Sequence, residues 1–153
     1  MGFDVAARQQ NVPDRMLGYR TGTFTPTITF GGNSVGIAYA LQQGFYTVIG
    51  DRLFFNCRIT LSAKGSSTGA ALIKTNLAAA LFAVENAACS IKLSAVAANA
   101  AEKHVQCDVV GGTADLRPGE IGTSSVDADV QYTHAEFTDT STLTISGQWR
   151  IAR

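Results

Sequence analysis

The sequence predicts an all-β fold, an antiparallel, jelly-roll-like β-sandwich preceded by a short N-terminal arm. Three observations carry this. Short segments alternate apolar and polar residues with a period of two; glycine clusters separate them; and residues 22–69 hold almost no catalytic residue types.

Leu53, Phe55, Cys57, Ile59 and Leu61 take every second position, with Arg52, Asn56, Arg58 and Thr60 between them. That period puts the first set on one face of a strand. Phe24, Pro26, Ile28 and Phe30 repeat the pattern among threonines, whose branched Cβ suits a pleated surface. Glycine reaches the positive φ of tight turns, so Gly31–Gly32 with Gly36, Gln43-Gly44 and Gly50-Asp51 are each expected to close a hairpin. Further along, Ile91, Leu93 and Ala95 alternate with Lys92 and Ser94, and Val105, Cys107 and Val109 with Gln106 and Asp108. Both are expected strands, with Gly111-Gly112, Pro118-Gly119 and Gly122 as turns. The alanine-rich residues 77–84 are read as a strand and 96–101 as a loop or single helical turn. Leu143, Ile145, Gly147, Trp149 and Ile151 form the last strand.

The chain has 153 residues and 46% apolar content, which suffices for one packed core without disulfide staples. Lysine plus arginine equals aspartate plus glutamate, so the chain shows no electrostatic footprint for nucleic acid or anionic membrane. Zero formal charge also lowers the cost of self-association. Cys57, Cys89 and Cys107 are odd in number and scattered, which fits free thiols packed as small hydrophobes. Residues 1–10 lack the apolar core of a signal peptide. Residues 1–19 have no period of two and are read as an arm outside the sandwich, which occupies 20–153. Phe3, Val5, Met16 and Leu17 are its apolar docking groups, with Arg8 and Arg15 as polar anchors that order on a partner.

No catalytic, cofactor or metal site is expected. His104 and His134 lack a Gly-x-Ser-x-Gly elbow. His104 and Cys107 would point to opposite faces of one strand, and no second ligand pair accompanies them. Lys64 and residues 65–69 fail as a phosphate loop, because Ala70-Ala71 stand where lysine and a hydroxyl are needed. Asp127, Asp129, Glu136 and Asp139 form one acidic neighbourhood, without signs of the desolvated pocket that acid/base hydrolysis requires. Tyr46 and Trp149 are read as core or subunit-interface aromatics; Tyr39 and Tyr132, nearer turns, are better placed to stack on a sugar or contact a receptor, though sequence assigns neither as a binding residue.

The order Gly22, Phe24-Thr25-Pro26, Phe30-Gly31-Gly32, Gly36, Tyr39, Gln43-Gly44, Tyr46, Ile49-Gly50, Ile59-Thr60-Leu61 and Lys64-Gly65-Ser66-Ser67-Thr68-Gly69 resembles a small β-sandwich domain of bacteriophage virion surface proteins. The ending from Phe137-Thr138-Asp139 through Leu143-Thr144-Ile145 to Gln148-Trp149 is similar to that domain's last strand. The resemblance implies a structural virion protein, not an enzyme, that assembles as a homotrimer. It would be made in the host bacterial cytoplasm and sit on the virion surface. Two roles fit: a capsid decoration (cement) protein docked on the major capsid protein or another virion protein, or the receptor-binding tip of a tail fibre. Because so few residues precede the sandwich, decoration is the expected role. A glycan-binding or glycan-degrading protein ranks last, with a host surface glycan as the partner in that case.

Overall fold

The computed structural model describes residues 18–97, 104–121 and 130–152. Ten strands follow in order: β1 (Tyr19–Phe24), β2 (Thr27–Phe30), β3 (Ala38–Ile49), β4 (Arg52–Ala63), β5 (Ala71–Lys74), β6 (Ala87–Val96), β7 (His104–Val109), β8 (Leu116–Ile121), β9 (Val130–Gln131) and β10 (Phe137–Arg150). Two single 3₁₀ turns, Ala79–Leu81 and His134–Glu136, interrupt them. All the strands ladder antiparallel into one sheet of order β1-β3-β4-β10-β6-β7-β8-β5-β2, with β9 on the side of β8.

The two ends of this order, β1 and β2, are separated in sequence only by Thr25 and Pro26, so the sheet must curl until its last strand returns near its first. Side chains hold it there. The Ile28 N–H donates to the Tyr39 hydroxyl at 3.0 Å, and that hydroxyl donates back to the Ile28 carbonyl at 3.3 Å. Gln42 donates from Nε2 to the Pro26 carbonyl at 2.9 Å. The all-β, antiparallel expectation is met, as one continuous sheet curled into a half-barrel over a single core.

The period of two places the core residues as expected. Leu53, Phe55, Cys57, Ile59 and Leu61 of β4 are all buried, as are Leu143, Ile145 and Trp149 of β10 and the following Ile151. Phe24, Pro26, Ile28 and Phe30 face inward too, although Pro26 lies between two strands with different partners. Gly50-Asp51 closes the β3–β4 hairpin with Gly50 at φ 63, the first-position glycine such a two-residue turn favours.

Several punctuation marks mean something else. Gln43-Gly44 lies inside β3, paired with Arg58 and Cys57. A Cβ on Gly44 would come within 2.5 Å of the Phe24 ring, so glycine here makes room for an aromatic from β1. The loop containing Gly31, Gly32 and Gly36 turns the chain but closes no β2–β3 hairpin, because β2 ladders with β5. Pro118-Gly119 also lies in a strand: a Cβ on Gly119 would meet the Val130 carbonyl oxygen at 2.6 Å, and Tyr132 N–H donates to the Pro118 carbonyl at 3.0 Å. Residues 77–84 are no strand. Leu81 and Ala83 do turn inward, but the segment makes a 3₁₀ turn and one bridge, Ala83 to Ile151, with Ala83 and Val84 N–H groups donating to the Thr113 and Arg150 carbonyls instead of a continuous ladder. The strand read through Ala95 kinks there, at φ 54, where β6 and β10 shift register and the Ala95 carbonyl accepts from Ser141 Oγ at 2.6 Å and Thr138 Oγ1 at 3.0 Å. Val105 is exposed, while Cys107 and Val109 are buried.

The cysteines pack as thiols. Cys89 and Cys107 sit directly opposite across β6–β7. Burial pushes the Cys57 thiol up to about 12. A hydrogen bond to Cys89, then burial, raises Cys107 as well. An unfolded thiol ionises near ~8.5, so above that pH the unfolded state binds fewer protons than the folded one. Stability from these thiols is therefore complete below ~8.5 and lost as pH rises towards the folded values, by up to ~1.4 kcal/mol per pH unit per thiol. Urea midpoints should fall between about pH 9 and pH 11, and Cys57→Ala should make that slope shallower.

Candidate functional site

The alternation that buries one face of β4 exposes the other. Arg52, Phe54, Asn56 and Arg58 point outward, with Phe45 and Phe54 exposed by 47% and 41%. The strand register builds this outer face in rows. Gln43, Arg58, Thr144 and Lys92 form one row across β3, β4, β10 and β6. Leu41, Thr60, Thr142 and Ser94 form the next, in which Thr142 Oγ1 and Thr60 Oγ1 lie 3.2 Å apart. On the other side lies the row of Phe45, Asn56, Ser146 and Ser90, then that of Thr47, Phe54 and Gln148.

Two depressions open on these rows. One of about 300 Å³ is lined by Arg58, Lys92, Ser94, Thr142 and Thr144. The other, about 270 Å³, lies at Phe45, Thr47, Phe54 and Asn56. The described ion pairs are Lys74–Asp115 at 2.6 Å and Arg150–Asp51 at 3.3 Å, so neither Arg58 nor Lys92 has a carboxylate partner among the described residues. Two uncompensated cations one strand either side of a threonine suit a ligand oxyanion with hydroxyls around it.

The residues singled out from sequence fare differently. Phe3, Val5, Arg8, Arg15, Met16 and Leu17 lie outside the described residues, as do Asp127 and Asp129. Glu136 is structural: its Oε2 accepts from the Thr133 N–H at 2.6 Å and the Thr133 hydroxyl at 2.9 Å, in a capping box. Asp139 Oδ1 accepts from the Lys64 N–H at 2.7 Å. His134 Nδ1 accepts from the Gly69 N–H at 3.0 Å and so ties the loop of residues 65–69 to the 3₁₀ turn, which gives that loop a structural task. His104 is exposed and Cys107 buried, on opposite faces as spacing predicts. No cluster of three metal-ligating side chains occurs among the described residues.

Trp149 lies in the core, and Tyr46 is partly buried against the core cluster. Tyr132, placed near a turn from sequence, is 2% exposed and cannot stack on a sugar. Burial and then Glu120 raise its hydroxyl pKa. Tyr39 is half-buried and bound to β2; burial raises its pKa, against the Ile28 backbone bond. Sequence reading left out Phe45 and Phe54 and put Lys92 on the polar phase of its strand without assigning it a role; the available signal was two phenylalanines on the polar phase of their strands.

No helix among the described residues is long and apolar enough to cross a membrane. No protein-family model and no curated protein matches the chain. Its fold is similar to that in the crystal structure of the Dettilon tailspike protein (gp208), with a TM-score of 0.69 and 16% sequence identity. The match covers 88% of this chain and 24% of the tailspike, so the chain spans about a quarter of that protein's length. At that identity the likeness is one of architecture: the chain has the all-β fold of one part of a phage tailspike protein.

Proposed function

We propose that the chain is a surface domain of a phage virion, carried on a tail spike or fibre, which assembles as a homotrimer and works by binding. The observation that carries this reading is the tailspike likeness, a TM-score of 0.69 over 88% of the chain. The neutral composition and the resemblance of residues 22–69 and 137–149 to virion surface domains support it. Three copies on one appendage turn modest contacts into strong attachment through effective concentration. Capsid decoration, expected from the sequence, asks for the same compact fold; the tailspike likeness moves the preference to the tail. Binding without bond cleavage is supported by Glu136 and Asp139, whose carboxylates are spent on backbone and hydroxyl donors.

Counting copies per particle separates the roles. Quantitative mass spectrometry of purified virions should find a few tens of copies at most, with label at the tail in immuno-electron microscopy. Hundreds of copies on the shell would overturn the tail assignment in favour of decoration. Light scattering should give a solution mass three times that of the monomer, and a monomer would remove the trimer. Release of reducing sugar from host surface polysaccharide would overturn the non-enzymatic reading.

A further inference from the structure

We propose that the outer face of β3, β4, β10 and β6 binds an acidic oligosaccharide, with Arg58 and Lys92 converging on a carboxylate, sulfate or phosphate carried by one sugar and Phe45 and Phe54 packing on a ring further along the same oligosaccharide. This names the ligand class of the surface domain proposed above and rests on that reading.

The register sets the scale. Adjacent strands lie ~4.8 Å apart, so the Arg58 and Lys92 backbones stand ~10 Å apart with Thr144 between them, a gap two long side chains close onto one oxyanion. Along β4, Arg58 and Phe54 stand four positions apart, a distance of ~14 Å. That is the length of a few linked sugars, and the two depressions sit at its ends. Thr142, Thr144 and Ser94 each bring a hydroxyl that both donates and accepts, as sugar hydroxyls do. The exposed phenylalanine faces offer apolar area to sugar C–H groups at little entropic cost. An apolar protein partner would leave the two cations buried without counter-charge. A nucleic acid needs a track of cations, and this chain, formally neutral, offers two in the row.

The test uses the full chain in calorimetric or fluorescence titration with oligogalacturonate, oligoalginate and heparin oligosaccharides, against neutral maltotetraose, sodium phosphate and a DNA oligonucleotide. At least one acidic oligosaccharide should bind about tenfold more tightly than maltotetraose, and more weakly as salt rises. Arg58→Gln and Lys92→Gln should each weaken it about tenfold with unchanged thermal melting, and Phe54→Ala should weaken it without altering the salt dependence. Binding by none of the acidic sugars, or equal binding by the Arg58→Gln/Lys92→Gln double variant, overturns the proposal. So does phosphate or DNA binding as tightly as the best sugar. Because copy number and trimer mass are read separately, failure here leaves the virion assignment standing, and a failed virion assignment is recognised independently of sugar binding.

Discussion

Replacing Trp149 with alanine should lower the unfolding free energy by about 3–5 kcal/mol. Trp149 is 1% exposed, near the end of β10, and its ring centroid lies 4.9 Å from that of Phe55 on β4. Its indole N–H donates to the Leu81 carbonyl at 2.8 Å and thereby fastens the 3₁₀ turn to the core. Alanine leaves a cavity the size of a bicyclic ring and an unpaired buried carbonyl. Trp149→Phe separates the two losses: it keeps most of the packing and should cost about 1–2 kcal/mol for the missing donor. Trp149 is the chain's single tryptophan, so circular dichroism rather than intrinsic tryptophan fluorescence should follow the urea transition. A shift below about 1 kcal/mol for the alanine variant would show that β10 contributes little to the cooperative fold.

The core of β4 and β10 was legible because each strand divides one face from solvent, and a period of two records that division directly. The partners were not legible. Whether Gly44 turns the chain or lies flat in a strand depends on the Phe24 ring crossing it, and whether Pro118-Gly119 turns depends on β9 passing close to Gly119. Both causes are contacts between strands, invisible to a local pattern. Tyr132 shows the same limit, since nearness to a turn says nothing of what packs above it.

The outer face was half-legible. Asn56 and Arg58 were recognised as the polar phase of β4, a solvated face by default. That Arg58 stands in one row with Lys92 follows only from β10 lying between β4 and β6. Glu136 and Asp139, the described part of the acidic neighbourhood, show the opposite: they lie close in sequence, yet each carboxylate serves a different backbone donor. Nearness in sequence overstated their partnership, while distance in sequence hid that of Arg58 and Lys92.

Gly69→Val should cost at least about 3 kcal/mol, and comparison with Gly32→Val should show why. Gly69 sits at φ 110, where a β-branched residue is strained wherever it occurs. Strain is not its whole burden. A Cβ there would lie 2.8 Å from the Gly31 Cα and 3.0 Å from the Gly31 nitrogen, both backbone atoms that cannot swing aside. Moving Gly69 would also loosen its N–H bond to His134 Nδ1 at 3.0 Å and the bond its carbonyl accepts from the His134 N–H at 3.0 Å. Gly32 also has positive φ, at 83, but no atom lies within 4 Å of the position its Cβ would take. Valine there should cost only the backbone strain, about 1–3 kcal/mol. Thermal melting of the two variants side by side isolates the contact between the loops that follow β2 and β4. Equal destabilisation would mean that φ strain alone requires glycine at Gly69 and that the Gly31 contact carries no weight.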